Sequence, residues 1–276
     1  MTTLSRFLLI VDRSQRSHGA LNKALVLARY FRASVRIFLC ETGSYGQESV
    51  LDPATERSPE ARRGSGAQEY VDALARTISS SDVAVSSMAV SCPSLVQAVL
   101  AENRNYDADL IVVPAPVQTS LRLGGGMASW QLVLDAGAPV FVTHGRPWDP
   151  APQFAAVVES TNGDGRNATA TIAKLSTGLS KRCQAELHVL LSPTARDPHT
   201  ETPDWQQWWA ALAGEQLTGE ASCRTLLGDL NTSLPRVLRQ REYDLVVMGR
   251  PRSPRGPKPN VAATVIASTS SDVLLA

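Results

Sequence analysis

The sequence of 276 residues has no long hydrophobic run near its start and almost no net charge. The longest apolar run there, Phe7 to Val11, has five residues, whereas a helix that spans a bilayer needs roughly 20. No cleavage site with small residues follows it, so we expect a cytoplasmic protein without a membrane partner. Because 27 basic side chains face 26 acidic ones, we also expect no nucleic-acid partner.

Cysteine is scarce, and Cys40, Cys92, Cys183 and Cys223 are far apart. No two form a C-x-x-C pair, and the four histidines do not share ligand spacing, so we predict no metal site. Cys40 and Cys92 fall at the carboxyl ends of two strands predicted to be neighbours. We interpret them first as unreactive thiols, and a redox pair stays open as the alternative.

Motifs of several enzyme classes are also missing. The sequence contains no G-x-S-x-G elbow of a serine hydrolase. It has no SGGxDS loop of adenylate-forming proteins after its first strand, and its third strand ends in Ser91 and Cys92 rather than in the aspartate of a phosphoacceptor receiver. These absences argue against each of these three classes.

The chain contains two copies of one unit. The stretch YDADLIVV, which includes Leu110, returns as EYDLVVM at an offset of 135 residues, where Leu245 stands. FRASVRIFLC likewise matches CQAELHVLLS, and APVFVT matches SDVLLA. Three prolines between His144 and Gln153 stop both helix and strand. We predict domains at 1–145 and 153–276, joined by a linker at 146–152.

Short apolar runs rich in β-branched residues alternate with helical spacing in each half, which is typical of a parallel sheet wrapped by helices. The predicted strands lie near 6–11, 34–40, 83–90, 109–113 and 139–143, and again near 154–158, 186–191, 221–227, 244–248 and 272–275. The fold class is therefore α/β, with two tandem open five-stranded parallel-sheet sandwiches of the doubly wound type. The segments 41–66 and 250–259 are predicted to be irregular.

Two helices have apolar stripes that should face these sheets. The first stripe comprises Leu21, Ala24, Leu25, Ala28 and Phe31, and its counterpart comprises Ala168, Ile172, Leu175, Leu179 and Cys183. A third helix is predicted behind Thr202-Pro203-Asp204, with Trp205, Trp208 and Trp209 on one face. We expect this face to pack on its own sheet, and a patch that closes a pocket or meets another chain is the alternative.

The order of these motifs resembles the universal stress protein family in its tandem-domain form. FLLIVDRSQRSHGALNKALVLARYFRASVRIFLC is similar to the family's first strand, Asp-x-Ser turn, first helix and second strand, and YDADLIVV through GAPVFVT is similar to its fourth and fifth strands. The resemblance covers nearly the whole chain in two copies. It implies an adenine nucleotide alpha hydrolase-like fold and a stress-response protein that is not an enzyme and works by binding. It also implies fifth strands, 139–143 and 272–275, that pair between the domains. It also allows a homodimer.

In nucleotide-binding members of the family a G-x-x-G-x9-G-[ST] loop follows the fourth strand and cradles phosphate with backbone N–H groups. In the first half, Pro114 and Val117 stand at the first two glycine positions, and Met127 stands where Ser or Thr would. The resemblance still implies a nucleoside contact at Asp12, with Ser14 beside it. An anion nest is still available at Gly124, Gly125 and Gly126.

The second half keeps Gly249 but has Arg252 at the second glycine, Pro259-Asn260 at the last pair, and Glu159 in place of the aspartate. We interpret both sites as degraded and expect no cofactor. ATP or AMP binding in the first domain, as a regulatory switch, is the alternative. The basic loop around Arg252 is either a solvated loop or a place where side chains capture an anion.

Overall fold

The computed structural model describes residues 4–13, 16–41, 59–78, 82–115, 132–133, 135–159, 164–192, 205–217, 219–250 and 261–276. By their contacts these residues form two compact units, a first unit within 4–138 and a second unit within 139–276. The segment 139–152 groups with the second unit. The domain limits of 1–145 and 153–276 stay a prediction about the evolutionary repeat.

The first unit alternates strands and helices. Its elements are β1 (Arg6–Val11), α1 (Arg16–Phe31), β2 (Ser34–Glu41), α2 (Pro59–Ile78), β3 (Val85–Ser91), α3 (Leu95–Tyr106) and β4 (Leu110–Pro114). The strands lie in the order β3-β2-β1-β4, and all these neighbours are parallel. Phe7 pairs with Val35 on one side and with Leu110 on the other, so β1 is central.

Burial on both faces explains why β1 is a continuous apolar run. Phe7, Leu8 and Leu9 are all fully buried. The predicted stripe of α1 is confirmed, because four of its members are buried and Phe31 lies with its ring centroid 6.3 Å from that of Phe7.

The prediction of irregular structure over 41–66 was wrong at both ends. Glu41 is the last residue of β2, and α2 already begins at Pro59. Proline is favoured at the first helical position because the N–H that it lacks has no partner there anyway. The residues that follow, EARR, include good helix formers. We had interpreted their polarity as a sign of a loop.

The second unit has a mixed sheet. Its elements are β5 (Val140–Thr143), β6 (Gln153–Val158), α4 (Asp164–Cys183), β7 (Glu186–Leu191), α5 (Trp205–Ala213), β8 (Ala221–Thr225), α6 (Leu230–Gln240), β9 (Leu245–Met248), α7 (Val261–Ser268) and β10 (Asp272–Leu275). The strand order is β5-β10-β9-β6-β7-β8. In this described order the β5–β10 pair is antiparallel and the other pairs are parallel.

The strands predicted as the two fifth strands, β5 and β10, pair directly. Val142 lies opposite Val273, and Val140 lies opposite Leu275. All four residues are buried. The contacts place this pair inside the second unit, and its role in joining two domains stays a prediction.

Two carboxylates fix the segment between β5 and β6. Asp272 accepts hydrogen bonds from the backbone N–H of His144 at 2.9 Å and from Nε1–H of Trp148 at 2.8 Å. Asp244 accepts from the backbone N–H groups of Asp149 and Gln153, both at 2.9 Å. The proline-rich segment that we predicted as a linker is therefore an ordered connection within the described residues.

The apolar stripe of α4 differs from the prediction at its start. Ile172, Leu175, Leu179 and Cys183 are buried, but Ala168 is exposed and its neighbour Thr169 is buried instead. The helix is rotated slightly from the orientation that the apolar spacing alone suggests. The hydroxyl of a buried threonine in a helix can donate to a backbone carbonyl of the preceding turn, and this hydrogen bond offsets the desolvation of the hydroxyl.

The tryptophan helix, α5, buries mainly one of its rings. Trp209 is fully buried and donates Nε1–H to Oγ1 of Thr177 at 3.0 Å, so it packs on α4. Trp205 and Trp208 are half-buried. We expected packing against the sheet, and the described contact is with the neighbouring helix instead. Across the part of the chain that the structure describes, no helix has both the length and the apolar character needed to cross a bilayer.

Candidate functional site

The carboxyl ends of β1 and β4 form the candidate site, because ligands of doubly wound sheets bind at this edge. Asp12 directly follows β1 and is exposed, where a ligand could reach it. Of the other predicted site residues of this half, Ser14, Gly124, Gly125 and Gly126 lie outside the described residues, as do Val117 and Met127. Their proposed contacts stay predictions.

An ion pair joins the ends of β1 and β2 beside Asp12. Arg13 places Nη2 and Nε at 2.6 and 2.9 Å from Oε1 of Glu41. Its guanidinium carbon lies 5.6 Å from the ring centroid of Tyr70, within reach of a cation–π interaction. The hydroxyl of Tyr70 is 3.4 Å from the backbone carbonyl oxygen of Asp12. Arg13 is thus engaged with protein groups, although it stands where a basic side chain could otherwise meet a phosphate.

We missed this arrangement in the sequence. Glu41 was assigned to the irregular segment, and nothing marked Tyr70 as a neighbour of Asp12. The available signal was that Arg13 adjoins Asp12 and that Glu41 directly follows the strand predicted at 34–40. Parallel neighbours bring their carboxyl ends to the same edge of the sheet.

The first positions of both candidate phosphate loops are described. Pro114 is the last residue of β4, and proline has no backbone N–H to offer a phosphate. In the second unit, Gly249 follows β9, and a Cβ at this position would lie 3.9 Å from Cδ1 of Ile172, an ordinary contact. The backbone N–H of Arg250 donates to the carbonyl oxygen of Ala276 at 3.1 Å. That donor is therefore used within the sheet.

The remaining loop positions of the second unit, including Arg252, Pro259 and Asn260, lie outside the described residues. Glu159 follows β6 and is exposed, in the place that Asp12 has after β1. Burial lowers the pKa of Arg250, but a guanidinium stays charged at neutral pH. Whether side chains of this loop capture an anion stays a prediction.

The pair Cys40 and Cys92 lies at the same edge. The backbone N–H of Cys92 donates to the carbonyl oxygen of Glu41 at 3.2 Å, and its thiol donates to that of Ser94 at 3.3 Å. Burial and the hydrogen bond with Cys92 raise the pKa of Cys40 to about 12. Because thiolates are the reactive form, the interpretation of unreactive thiols is favoured over a redox pair.

Within the described ranges, no three His, Cys, Asp or Glu side chains are grouped so that they could hold a metal ion. The described residues of the second unit line surface cavities that include one of about 560 Å³ and one of about 230 Å³. The larger is lined by polar side chains that include Gln153, Lys181, Glu186 and Glu220. It lies at the amino ends of β6, β7 and β8, far along the strands from the predicted nucleotide edge.

Comparison with solved structures identifies the architecture. A universal stress protein from Archaeoglobus fulgidus DSM 4304 matches with a TM-score of 0.69 and 14% sequence identity, over 99% of this chain and 96% of that one. A protein from Pseudomonas aeruginosa UCBPP-PA14, provisionally assigned as a universal stress protein, matches with a TM-score of 0.64 and 21% identity, over 99% and 93% of the two chains. The chain has the universal stress protein fold.

The universal stress protein fold is not confined to stress proteins. The cytoplasmic domain of a prokaryotic cation chloride cotransporter also matches, with a TM-score of 0.57 and 12% identity over 98% of this chain and 94% of that domain. No family model matches the sequence, and no curated protein matches it. At these identities the likeness establishes the fold and leaves the activity to be argued from the site.

Proposed function

We propose that this chain is a non-catalytic, cytoplasmic stress-response protein that acts by binding and whose nucleotide sites are degraded. The observation that carries the proposal is that one backbone donor near the start of each candidate phosphate loop is absent or already engaged. Pro114 has no N–H, and the N–H of Arg250 is donated to Ala276. The cytoplasmic location rests on the sequence alone.

The effect of one missing backbone N–H on the affinity for phosphate can be estimated. A hydrogen bond to a charged group contributes about 1.5 to 3 kcal/mol, and about 1.4 kcal/mol corresponds to a factor of ten in affinity. Each lost donor thus weakens phosphate binding by roughly tenfold to a hundredfold. The engagement of Arg13 with Glu41 at 2.6 Å removes a cation from the same edge of the first unit.

A second candidate function is an adenine-nucleotide switch in the first unit. The observation that favours it is the placement of Asp12, which is exposed directly after β1, at the edge where ligands of this architecture bind. Tyr70 donates to its backbone carbonyl oxygen at 3.4 Å, which helps to fix the main chain at this position.

Isothermal titration calorimetry of the full chain with ATP and with AMP separates these candidates. The first predicts no binding heat up to millimolar nucleotide. Heat that disappears in an Asp12→Ala variant, but persists in a Glu159→Ala variant, would establish the switch and remove the proposal of degraded sites. Release of phosphate from ATP, measured in the same samples, would contradict the non-catalytic role.

A further inference from the structure

The two units place a serine at corresponding positions in their sheets. Arg36 of β2 lies opposite Ser86 of β3, and His188 of β7 lies opposite Ser222 of β8. In the first unit, Nε–H of Arg36 donates to Oγ of Ser86 at 3.2 Å. In the second, Nδ1 of His188 lies 2.6 Å from Oγ of Ser222. A guanidinium accepts no proton, whereas a neutral imidazole does. Of these two serines, Ser222 is therefore the one whose hydroxyl contacts a base.

His188 is buried between a tyrosine ring and a carboxylate. The residue is only 3% exposed, and its ring lies edge-on to that of Tyr243 at 5.4 Å. Its Nε2 lies 3.0 Å from Oε1 of Glu186. When Nδ1 accepts the hydrogen bond of Ser222, a neutral ring carries its own proton on Nε2. This N–H makes no hydrogen bond to a described residue, so Glu186 acts on the ring through its nearby charge. The ring is therefore hydrogen-bonded to the serine, as a base is to its nucleophile in serine sites, and it has a carboxylate close to its other nitrogen.

The imidazole is held in the form that can act as a base. Burial lowers the pKa of His188, the positive charges of Arg241 and Arg224 lower it further, and Glu186 opposes them. The ring is therefore neutral at neutral pH and able to accept a proton from Ser222.

Ser222 is also accessible. It is exposed, and β8 is the last strand in the described order. Glu186 is two residues before His188, and Glu220 is two residues before Ser222. Because alternate side chains of a strand point to the same face and Leu187 pairs with Ala221, the two glutamates lie on the same face of the sheet as His188 and Ser222. Both glutamates line the cavity of about 560 Å³. Ser222 itself does not line this cavity, but it lies two residues beyond Glu220, so a small molecule held there is near the nucleophile. The lining carries Lys181 as well as the two carboxylates, so an uncharged ester or thioester suits it.

We propose that Ser222 is a nucleophile that accepts the acyl group of a small activated ester or thioester, with His188 as its base and Glu186 as a positioning residue. Oγ forms a bond to the carbonyl carbon while its proton passes to Nδ1 of His188. The bond from that carbon to the leaving oxygen or sulfur breaks, and the leaving group takes the proton from His188. The products are an acylated Ser222 and an alcohol or thiol. This modification is independent of the proposed function and lies at the opposite edge of the sheet.

The test uses p-nitrophenyl acetate on the full chain near neutral pH, with the acetyl group located by peptide mass spectrometry. The expected result is one acetyl group per chain on Ser222, and its loss in a Ser222→Ala variant. A Ser86→Ala variant is the matched control and keeps the label. Equal labelling of Ser86 and Ser222, or labelling of Lys181 without Ser222, would overturn the proposal.

Two further readouts test the roles of His188 and Glu186. Removal of a general base costs typically 10²- to 10⁴-fold, so His188→Gln should slow labelling within about that range, with its folding checked by circular dichroism. In the unaltered chain, the labelling rate should rise with pH and level off, with a midpoint below the ordinary histidine pKa of 6.5. Glu186→Gln removes a charge that raises this pKa and should move the midpoint to lower pH. A rate that climbs without levelling off indicates attack by hydroxide and refutes the proposal.

Discussion

Removing the carboxylate of Asp272 should strongly destabilise the second unit. Asp272 is only 2% exposed and accepts hydrogen bonds from Nε1–H of Trp148 at 2.8 Å and from the backbone N–H of His144 at 2.9 Å. The indole is fixed by the rings of Phe154 and Phe141, at centroid distances of 5.0 and 6.5 Å. The indole therefore keeps its orientation when the carboxylate is removed, and its Nε1–H loses this acceptor.

The magnitude follows from these two bonds. Each hydrogen bond to a charged group contributes about 1.5 to 3 kcal/mol, so the loss of these two bonds corresponds to about 3 to 6 kcal/mol. Trp148 is half-buried and water can partly replace its acceptor, so we expect Asp272→Ala to lower the free energy of unfolding by about 3 kcal/mol. Trp148→Phe keeps an aromatic ring but removes the donor, and should cost about 1.5 kcal/mol.

A double-mutant cycle measures the bond itself. Unfolding in urea is followed by circular dichroism and by tryptophan fluorescence, since four of the five tryptophans lie within 139–276. The double variant of Asp272 and Trp148 should be more stable than the sum of the single effects predicts, by about 1.5 kcal/mol. Single effects that add to within about 0.5 kcal/mol would refute the reasoning.

Two other predictions concern buried groups. Burial raises the pKa of Cys223 to about 11, and burial with a hydrogen bond raises that of Cys40 to about 12. At pH near 8, iodoacetamide should therefore react with Cys223 roughly a hundredfold more slowly than with an ordinary thiol, and with Cys40 roughly a thousandfold more slowly. Peptide mass spectrometry against the urea-unfolded chain measures this, and equal rates in the two states would contradict it. Trp209→Phe removes the 3.0 Å bond to Thr177 and should cost about 1 to 3 kcal/mol of unfolding free energy. The half-buried Trp208 is the control, and equal losses in Trp208→Phe and Trp209→Phe would disprove a specific role for that bond.

The strands could be predicted from the sequence because they are buried on both faces. β1 and β7 were predicted at 6–11 and 186–191, and they occupy those residues in the structure. A continuous apolar run needs no knowledge of its neighbours to be recognised. The start of α2 was missed since Pro59 and the charged residues after it are equally common in loops, and helical spacing cannot be seen where the apolar face is short.

The candidate site was predictable only in part. Asp12 could be placed at the end of β1 because strand limits were clear. Its neighbours could not, since Arg13 and Glu41 are 28 residues apart and meet only through strand order. The contact between His188 and Ser222 spans 34 residues. It depends on the register of β7 and β8, which a shift of one residue would abolish.

The sequence by itself determined the repeat, the α/β alternation and which residues stand at the glycine positions of the two predicted phosphate loops, because each of these depends on local composition and spacing. Tertiary structure alone decided which polar side chains meet: Arg13 with Glu41, Asp272 with Trp148, and His188 with Ser222. The physical reason is that hydrophobic burial is set residue by residue along a strand. A hydrogen bond instead requires two distant chain segments to be placed within about 3 Å, and only the packed sheet supplies that placement.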